Sequence, residues 1–285
     1  MATEGQEYEE EPIEIQQSIP DKDAKQQSLC LVGKLWTTKS FNAFALLDTM
    51  KKIWKPVKGM TAREIETNLF SFQFNHHKDI DRILSMEPWH FDKHLLMLQR
   101  IEGNIQPSAV SFDSNPFWVR LYDLPLAARN EATYRAIGNR IGKFIEWDTS
   151  TGEGLSRSVR VRVLLNPAKP LRRGTKITIS NGTVMWISIK YERLPIFCFA
   201  CGLLGHLKRE CEIANEDDNF ENIEEDKLPF GDWIKASPMK HAHVTTEKHQ
   251  NQKRHCHEEK SIYPRISRRI HSLRPPPPTL HKTKR

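Results

Sequence analysis

The 285-residue chain contains no window of 18 consecutive apolar residues, so no transmembrane helix is predicted. Its opening residues, MATEGQEYEEEP, are acidic and lack the apolar stretch of a secretory leader, which predicts an intracellular protein of the nucleus or cytoplasm. Cysteine is scarce. There are five, an odd number, and three of them fall between residues 198 and 211, so a disulfide framework is not indicated. A P-loop, a G-x-S-x-G elbow, an H-E-x-x-H helix and a glycine-rich dinucleotide turn are all missing. The carboxylates concentrate in polar strips, where no desolvated pocket could tune them for acid–base work. The chain is therefore expected to be neither an enzyme nor a membrane protein. Hydrophobic residues are also few, at 38%, against 28% charged, which predicts a folded middle diluted by polar ends.

What is present is charge in blocks. The net +7 divides into −6 over residues 1–27, +11 over 28–211, −7 over 212–235 and +9 over 236–285. A basic body and a basic tail separated by acidic strips suit a polyanionic partner.

The hydrophobic pattern divides the chain further. Residues 1–27 have no apolar period and are expected to be a disordered acidic N-terminus. Residues 28–105 predict a β-α-β-β-α-β unit. Ser28–Leu35 forms the first strand, and a helix over Phe41–Trp54 has Ser40 as N-cap and an apolar stripe of Phe44, Leu47, Met50 and Trp54. Strands follow at Ala62–Glu66 and Leu69–Phe74, then a helix over His77–Met86 and a last strand at Leu95–Leu98. This order is the ferredoxin-like arrangement of RNA-recognition modules. Phe70, Phe72 and Phe74 alternate with polar residues and are read as core.

Residues 106–193 predict a second, small α+β unit. It has a strand at Phe117–Leu121, a helix over Glu131–Ile141 ended by Gly142, an amphipathic strand over Arg157–Leu165, and a hairpin turning at Asn181-Gly182. Trp54, Trp89, Trp118, Trp147 and Trp186 all fall in these patterns and are expected in or near the core. Residues 214–235 form an acidic linker whose Phe230 and Trp233 are placed to dock back on the body. Residues 236–285, with Pro275–Pro278 in a polyproline II stretch, are expected to be a disordered basic tail.

Between linker and body, over residues 194–213, the chain reads CFACGLLGHLKREC, spaced C-x2-C-x4-H-x4-C. Cys198, Cys201, His206 and Cys211 complete a tetrahedral shell for one Zn²⁺, with no open position for water or substrate. Such a site is structural. Gly202 and Gly205 permit the positive φ angles that so short a loop needs, and without a core of its own the segment should fold only with metal. Phe199 and Leu207 are expected on one exposed side as a platform for an unpaired base, with Lys208 and Arg209 beside it for phosphates.

The knuckle, the preceding YERLPIF and the later FGDWIKA resemble the plant proteins that carry domain of unknown function 4283. LVGKL, FSFQF, RILSMEPWHFDKHLLMLQR, FWVRLYDLP and IGNRIGKFIEWD extend the resemblance over about residues 28–235. That family includes gag-like products of the first open reading frame of plant non-LTR (LINE-type) retrotransposons. The resemblance implies packaging or chaperoning of single-stranded RNA or DNA, with self-association left open, and it carries over the four zinc ligands and nothing catalytic. Two alternatives stand beside it: a host protein of RNA metabolism from the same family, and a protein-interaction adaptor using the knuckle. His255-Cys256-His257 lacks glycine turns and fixed spacing and is read as part of a solvated basic tail; for the Arg265–Arg269 and Lys282–Arg285 clusters, nuclear import signals, phosphate contacts and solvated charge stay open alike.

Overall fold

The computed structural model describes residues 29–101, 105–152, 156–179, 182–216, 223–224 and 227–237. The acidic N-terminus, the histidine-rich cluster and the polyproline stretch lie outside them. The architecture is α+β, with two five-stranded antiparallel sheets, and no described helix is long and apolar enough to cross a membrane.

The first unit runs β1 (Cys30–Trp36), α1 (Ala43–Trp54), β2 (Met60–Glu66), β3 (Leu69–Phe74), α2 (His77–Ser85), β4 (Trp89–Phe91) and β5 (His94–Arg100). Its sheet is ordered β2-β3-β1-β5-β4. β1 lies antiparallel between β3 and β5, the ferredoxin-like arrangement, with β4 added as a short edge. Phe70, Phe72 and Phe74 are buried beneath the helices, and the Trp54 indole meets Phe72 edge-on with centroids 4.8 Å apart.

Two expectations about α1 are corrected. Its N-cap is Asn42, whose side chain accepts from the Ala45 N–H at 3.0 Å, rather than Ser40. The buried stripe is Leu46, Met50 and Trp54, so that Phe44 is 80% exposed. Both stripes have helical spacing; the phase that sets Trp54 against Phe72 and Trp89 turns Phe44 outward.

The second unit runs β6 (Asn115–Tyr122), α3 (Glu131–Ile141), β7 (Lys143–Trp147), β8 (Ser158–Leu165), β9 (Gly174–Thr178) and β10 (Val184–Tyr191). Its sheet order, β7-β8-β6-β10-β9, repeats the order of the first sheet strand for strand. The helices differ: no helix stands between β8 and β9 where α2 lies between β3 and β4, and a short helix, Thr149–Gly152, stands between β7 and β8. The apolar face of this sheet is covered by Tyr134 and Ile137 of α3 together with Leu171, Phe197, Leu204 and Ile234. The knuckle and the segment that follows it thus occupy core that a second helix would otherwise fill.

Gly142 ends α3 in extended geometry rather than as a left-handed cap. It is required by close approach, since a Cβ there would meet the Leu164 carbonyl oxygen at 2.2 Å. Trp186 is the exception among the tryptophans expected in the core. It is 50% exposed because Ile187, Ile189 and Tyr191 take the inward positions of β10.

Candidate metal centre and nucleic-acid surface

Cys198 and Cys201 flank a turn closed by Gly202 N–H to Cys198 O at 2.9 Å, and Cys198 N–H returns to Leu203 O at 2.9 Å. Gly202 and Gly205 have φ of +76° and +98°, the left-handed conformation that glycine adopts without strain. His206 follows, and a short 3₁₀ turn over Lys208–Glu210 delivers Cys211. Glu210 anchors that turn. Its carboxylate accepts from Lys39 Nζ at 2.8 Å and from Leu207 N–H at 3.3 Å, and the Lys39 contact helps hold it down to about 2.

The three sulfurs and the imidazole nitrogen all lie within 4.8 Å of one another, and Cys201 Sγ is 3.5 Å from His206 Nε2. Tetrahedral zinc with ordinary Zn–S and Zn–N bonds requires an S···N separation of about 3.5 Å. The donor set therefore fits Zn²⁺. Cys198 and Cys211 are buried, whereas Cys201 and His206 are half-buried. The hydrogen bond from Cys201 draws the Cys198 thiol below its ordinary range, against desolvation, and the same bond pushes Cys201 up. The cluster thus favours a thiolate even before a cation adds its charge.

The knuckle is seated on the body. Leu171 N–H donates to Gly202 O at 3.0 Å, Gly205 N–H to Ile196 O at 2.9 Å, and Ile196 N–H to Lys93 O at 2.8 Å. The Trp36 indole packs beside Gly205. The returning segment closes the other side, with Phe230 N–H on Phe199 O at 3.0 Å and Ala236 N–H on Tyr191 O at 2.8 Å. Docking is carried by Phe230 and the fully buried Ile234, while Trp233 stays 48% exposed.

Phe199 and Leu207 line one small groove of about 150 Å³. Phe199 is half-buried, with its ring 5.0 Å from that of Phe197. Lys93 and Lys235 also line this groove; no sequence pattern pointed to them, because only the folding back of distant segments brings them there. Lys208 turns its ammonium toward the Ile223 carbonyl, and Arg209 extends into solvent, 76% exposed. A second cleft of about 760 Å³ carries Arg140, Lys143, Lys169 and Arg172 on its walls, with Asp113 as its acidic member, and reaches Leu204 of the knuckle. Together these features form a basic surface around the metal centre.

Residues 165–213 match the family model described as Zinc knuckle, and residues 23–109 match Domain of unknown function (DUF4283). The knuckle match begins at the end of β8, so it includes β9 and β10, the strands against which the metal loop is packed. No curated protein matches the chain. Among solved structures, the chain is similar to RNA recognition domains 1 and 2 of Sex-lethal from Drosophila melanogaster, with 13% identity, TM-score 0.21, and coverage of 47% of this chain and 85% of that one. It is also similar to the first two RRM domains of the yeast poly(U) binding protein Pub1, with 13% identity, TM-score 0.21, and coverage of 57% and 98%.

Proposed function

We propose that this chain is a zinc-dependent binder of single-stranded nucleic acid, with RNA as its main partner. The observation that carries this reading is the closed Cys198, Cys201, His206 and Cys211 cluster set beside a groove of Phe199 and Leu207 and a cleft lined by four cations. Zinc, when bound, supplies structural cross-linking only, since four protein donors leave it no position for a substrate. Phe199 and Leu207 then hold a base, while Lys93, Lys235, Arg209 and the cleft residues meet phosphates. The role is binding rather than catalysis.

The finer reading is a gag-like coat or chaperone of a retrotransposon transcript, which rests on the resemblance of the knuckle, YERLPIF and FGDWIKA to that family. Zinc thiolates persist in reducing compartments, which supports a nuclear or cytoplasmic site of action. The test is a titration of the full chain with an unstructured single-stranded RNA, with and without a zinc chelator. Binding that is lost on chelation and restored by zinc is expected. Binding indifferent to the chelator would place recognition outside the knuckle, and no binding at moderate salt would favour the protein-adaptor role.

A further inference from the structure

The outward face of the second sheet carries Trp118, Arg120 and Tyr122 on β6, Arg160 and Arg162 on β8, and Trp186, Ser188 and Lys190 on β10. At its middle this face is already satisfied. Arg160 lies 3.8 Å over the Trp118 ring and is paired with Asp148 and Glu192. Against the desolvation that would raise it, hydrogen bonds from Arg160 and Arg120 keep Glu192 ionised. Trp118 is therefore covered by its own protein.

The β9–β10 side differs. A cavity of about 400 Å³ is lined there by Trp186 and Trp233, with Arg173, Ser188 and Lys190 between them. Both indoles are about half exposed, at 50% and 48%, and among the described residues neither makes a ring–ring contact. Each is nevertheless held in place. The Trp186 ring lies on Gly174, where a Cβ would approach it to 2.4 Å. Trp233 stands against Gly231, and the next residue, Ile234, is fully buried. Its segment is tied to the end of β10 by the Tyr191–Lys235 bridge. Two fixed aromatic walls left in water are costly unless something covers them.

The charge selects the occupant. Arg173 donates one N–H to Pro229 O at 3.1 Å, which leaves its other donors available, and Lys190 forms no ion pair with a carboxylate among the described residues. Ser188 donates to Asp123 Oδ2 at 3.3 Å, placing one acceptor at the rim. Two cations repel a cationic guest of the kind that aromatic cages hold. A planar neutral ring with an anionic group attached satisfies both walls and both cations, and the volume lies within the range of about 300–1,000 Å³ of small-ligand clefts.

We propose that Trp186 and Trp233 form a second stacking site, apart from the Phe199–Leu207 groove, for one nucleotide of a single strand, with Arg173 and Lys190 on its phosphate. This rests on the reading that the chain binds single strands. Because Trp233 belongs to the segment that seals the knuckle and Trp186 to the sheet beneath it, the site forms only when both are docked.

The test compares the zinc-loaded full chain on an oligouridylate and on an abasic strand of the same length, which keeps the phosphates and lacks the bases. Trp186→Ala and Trp233→Ala should each lower the preference for the base-bearing strand about tenfold while leaving the abasic affinity unchanged, the size expected for loss of one stacking partner. Trp233→Phe should retain most of it. Zinc content and thermal midpoint monitor folding. Should an alanine variant fail to fold, photo-crosslinking of the parent to 4-thiouridine RNA decides instead, with adducts expected on the peptides holding Trp186 or Trp233. Binding with unchanged base preference in both variants, or adducts confined to residues 198–211, would overturn the second site and leave knuckle binding intact. No binding of either strand by the parent would remove the underlying function as well.

Discussion

The Phe230 ring covers Gly202 so closely that a Cβ on that glycine would lie 2.4 Å from Phe230 Cζ. The glycine therefore has two duties. It turns the metal loop at φ +76°, and it leaves room for the aromatic that returns from beyond the acidic linker. Gly202→Ala should retain zinc but lower stability by about 1–3 kcal/mol, from left-handed backbone strain plus the clash. Denaturant unfolding of a double-mutant cycle checks this. Phe230→Ala in the Gly202→Ala background should cost less than Phe230→Ala alone, because removing the ring there also removes the clash. Additive losses would mean that the two groups do not meet.

Metal content provides the second prediction. One zinc per chain is expected, lost in Cys198→Ser and His206→Ala, and since the thiols must give up protons to bind, affinity should fall as pH falls. Because Phe197 and Leu204 belong to the core of the second sheet, chelation should also weaken amide-exchange protection in β9 and β10, with β1 and β3 little changed. Elemental analysis and hydrogen exchange on the same samples test both parts. Equal loss of protection in the two sheets would show that the knuckle is not specific to the second.

A third prediction concerns Glu87, buried between the two units near Arg162 and Arg193, whose guanidinium donates to the Met86 carbonyl. Burial raises Glu87 to about 8, although both arginines pull it down, and one of its carboxyl oxygens has no partner among the described residues. An acid raised in the folded state is stabilising below its ordinary value near 4.5, and that stability is lost as pH climbs toward about 8. His90 behaves in the opposite sense. Burial, with Arg193 nearby, lowers it to about 4, so stability is lost as pH falls from about 6.5 toward that value. Glu87→Gln should therefore raise the thermal midpoint at pH 8 and leave it nearly unchanged at pH 4.5. A mutant curve parallel to the parent's across this range would rule out Glu87 as the titrating group.

Local periodicity was a reliable guide where one pattern dominated. The alternation of Phe70, Phe72 and Phe74 and the capped stretch from Glu131 to Ile141 gave both elements with their observed ends. The meeting of Cys198, Cys201, His206 and Cys211 in one cluster was equally legible from their spacing. Legibility failed where two phases competed, as with Phe44 against Leu46 in α1 and Trp186 against Ile187 in β10. It failed again at the β4–β5 hairpin, whose turn residues Asp92 and Lys93 both adopt positive φ without the Asn-Gly signal. The repeated sheet order lies in topology, with the second helix replaced by a metal loop, and no side-chain pattern records that exchange.

The last prediction separates shape from charge in nucleic-acid binding. Phe199 and Leu207 stand in one groove beside the Cys/His cluster, whereas residues 236–285 contribute nine net positive charges by sequence alone. Stacking of a base contributes about 1–3 kcal/mol and is insensitive to salt, while exposed charges are screened beyond about 10 Å at 0.1 M. Neutralising about five phosphates on a single strand gives a log–log salt slope of roughly −3.5. Phe199→Ala should weaken binding about equally at low and high salt with zinc still bound, keeping the parent's slope. Deleting residues 240–285 should weaken binding mainly at low salt and flatten the slope. Titrations of each variant at two ionic strengths distinguish the contributions. If Phe199→Ala binds like the parent at high salt while the tail deletion abolishes binding there, the groove is a packing feature. Recognition would then belong to the basic tail.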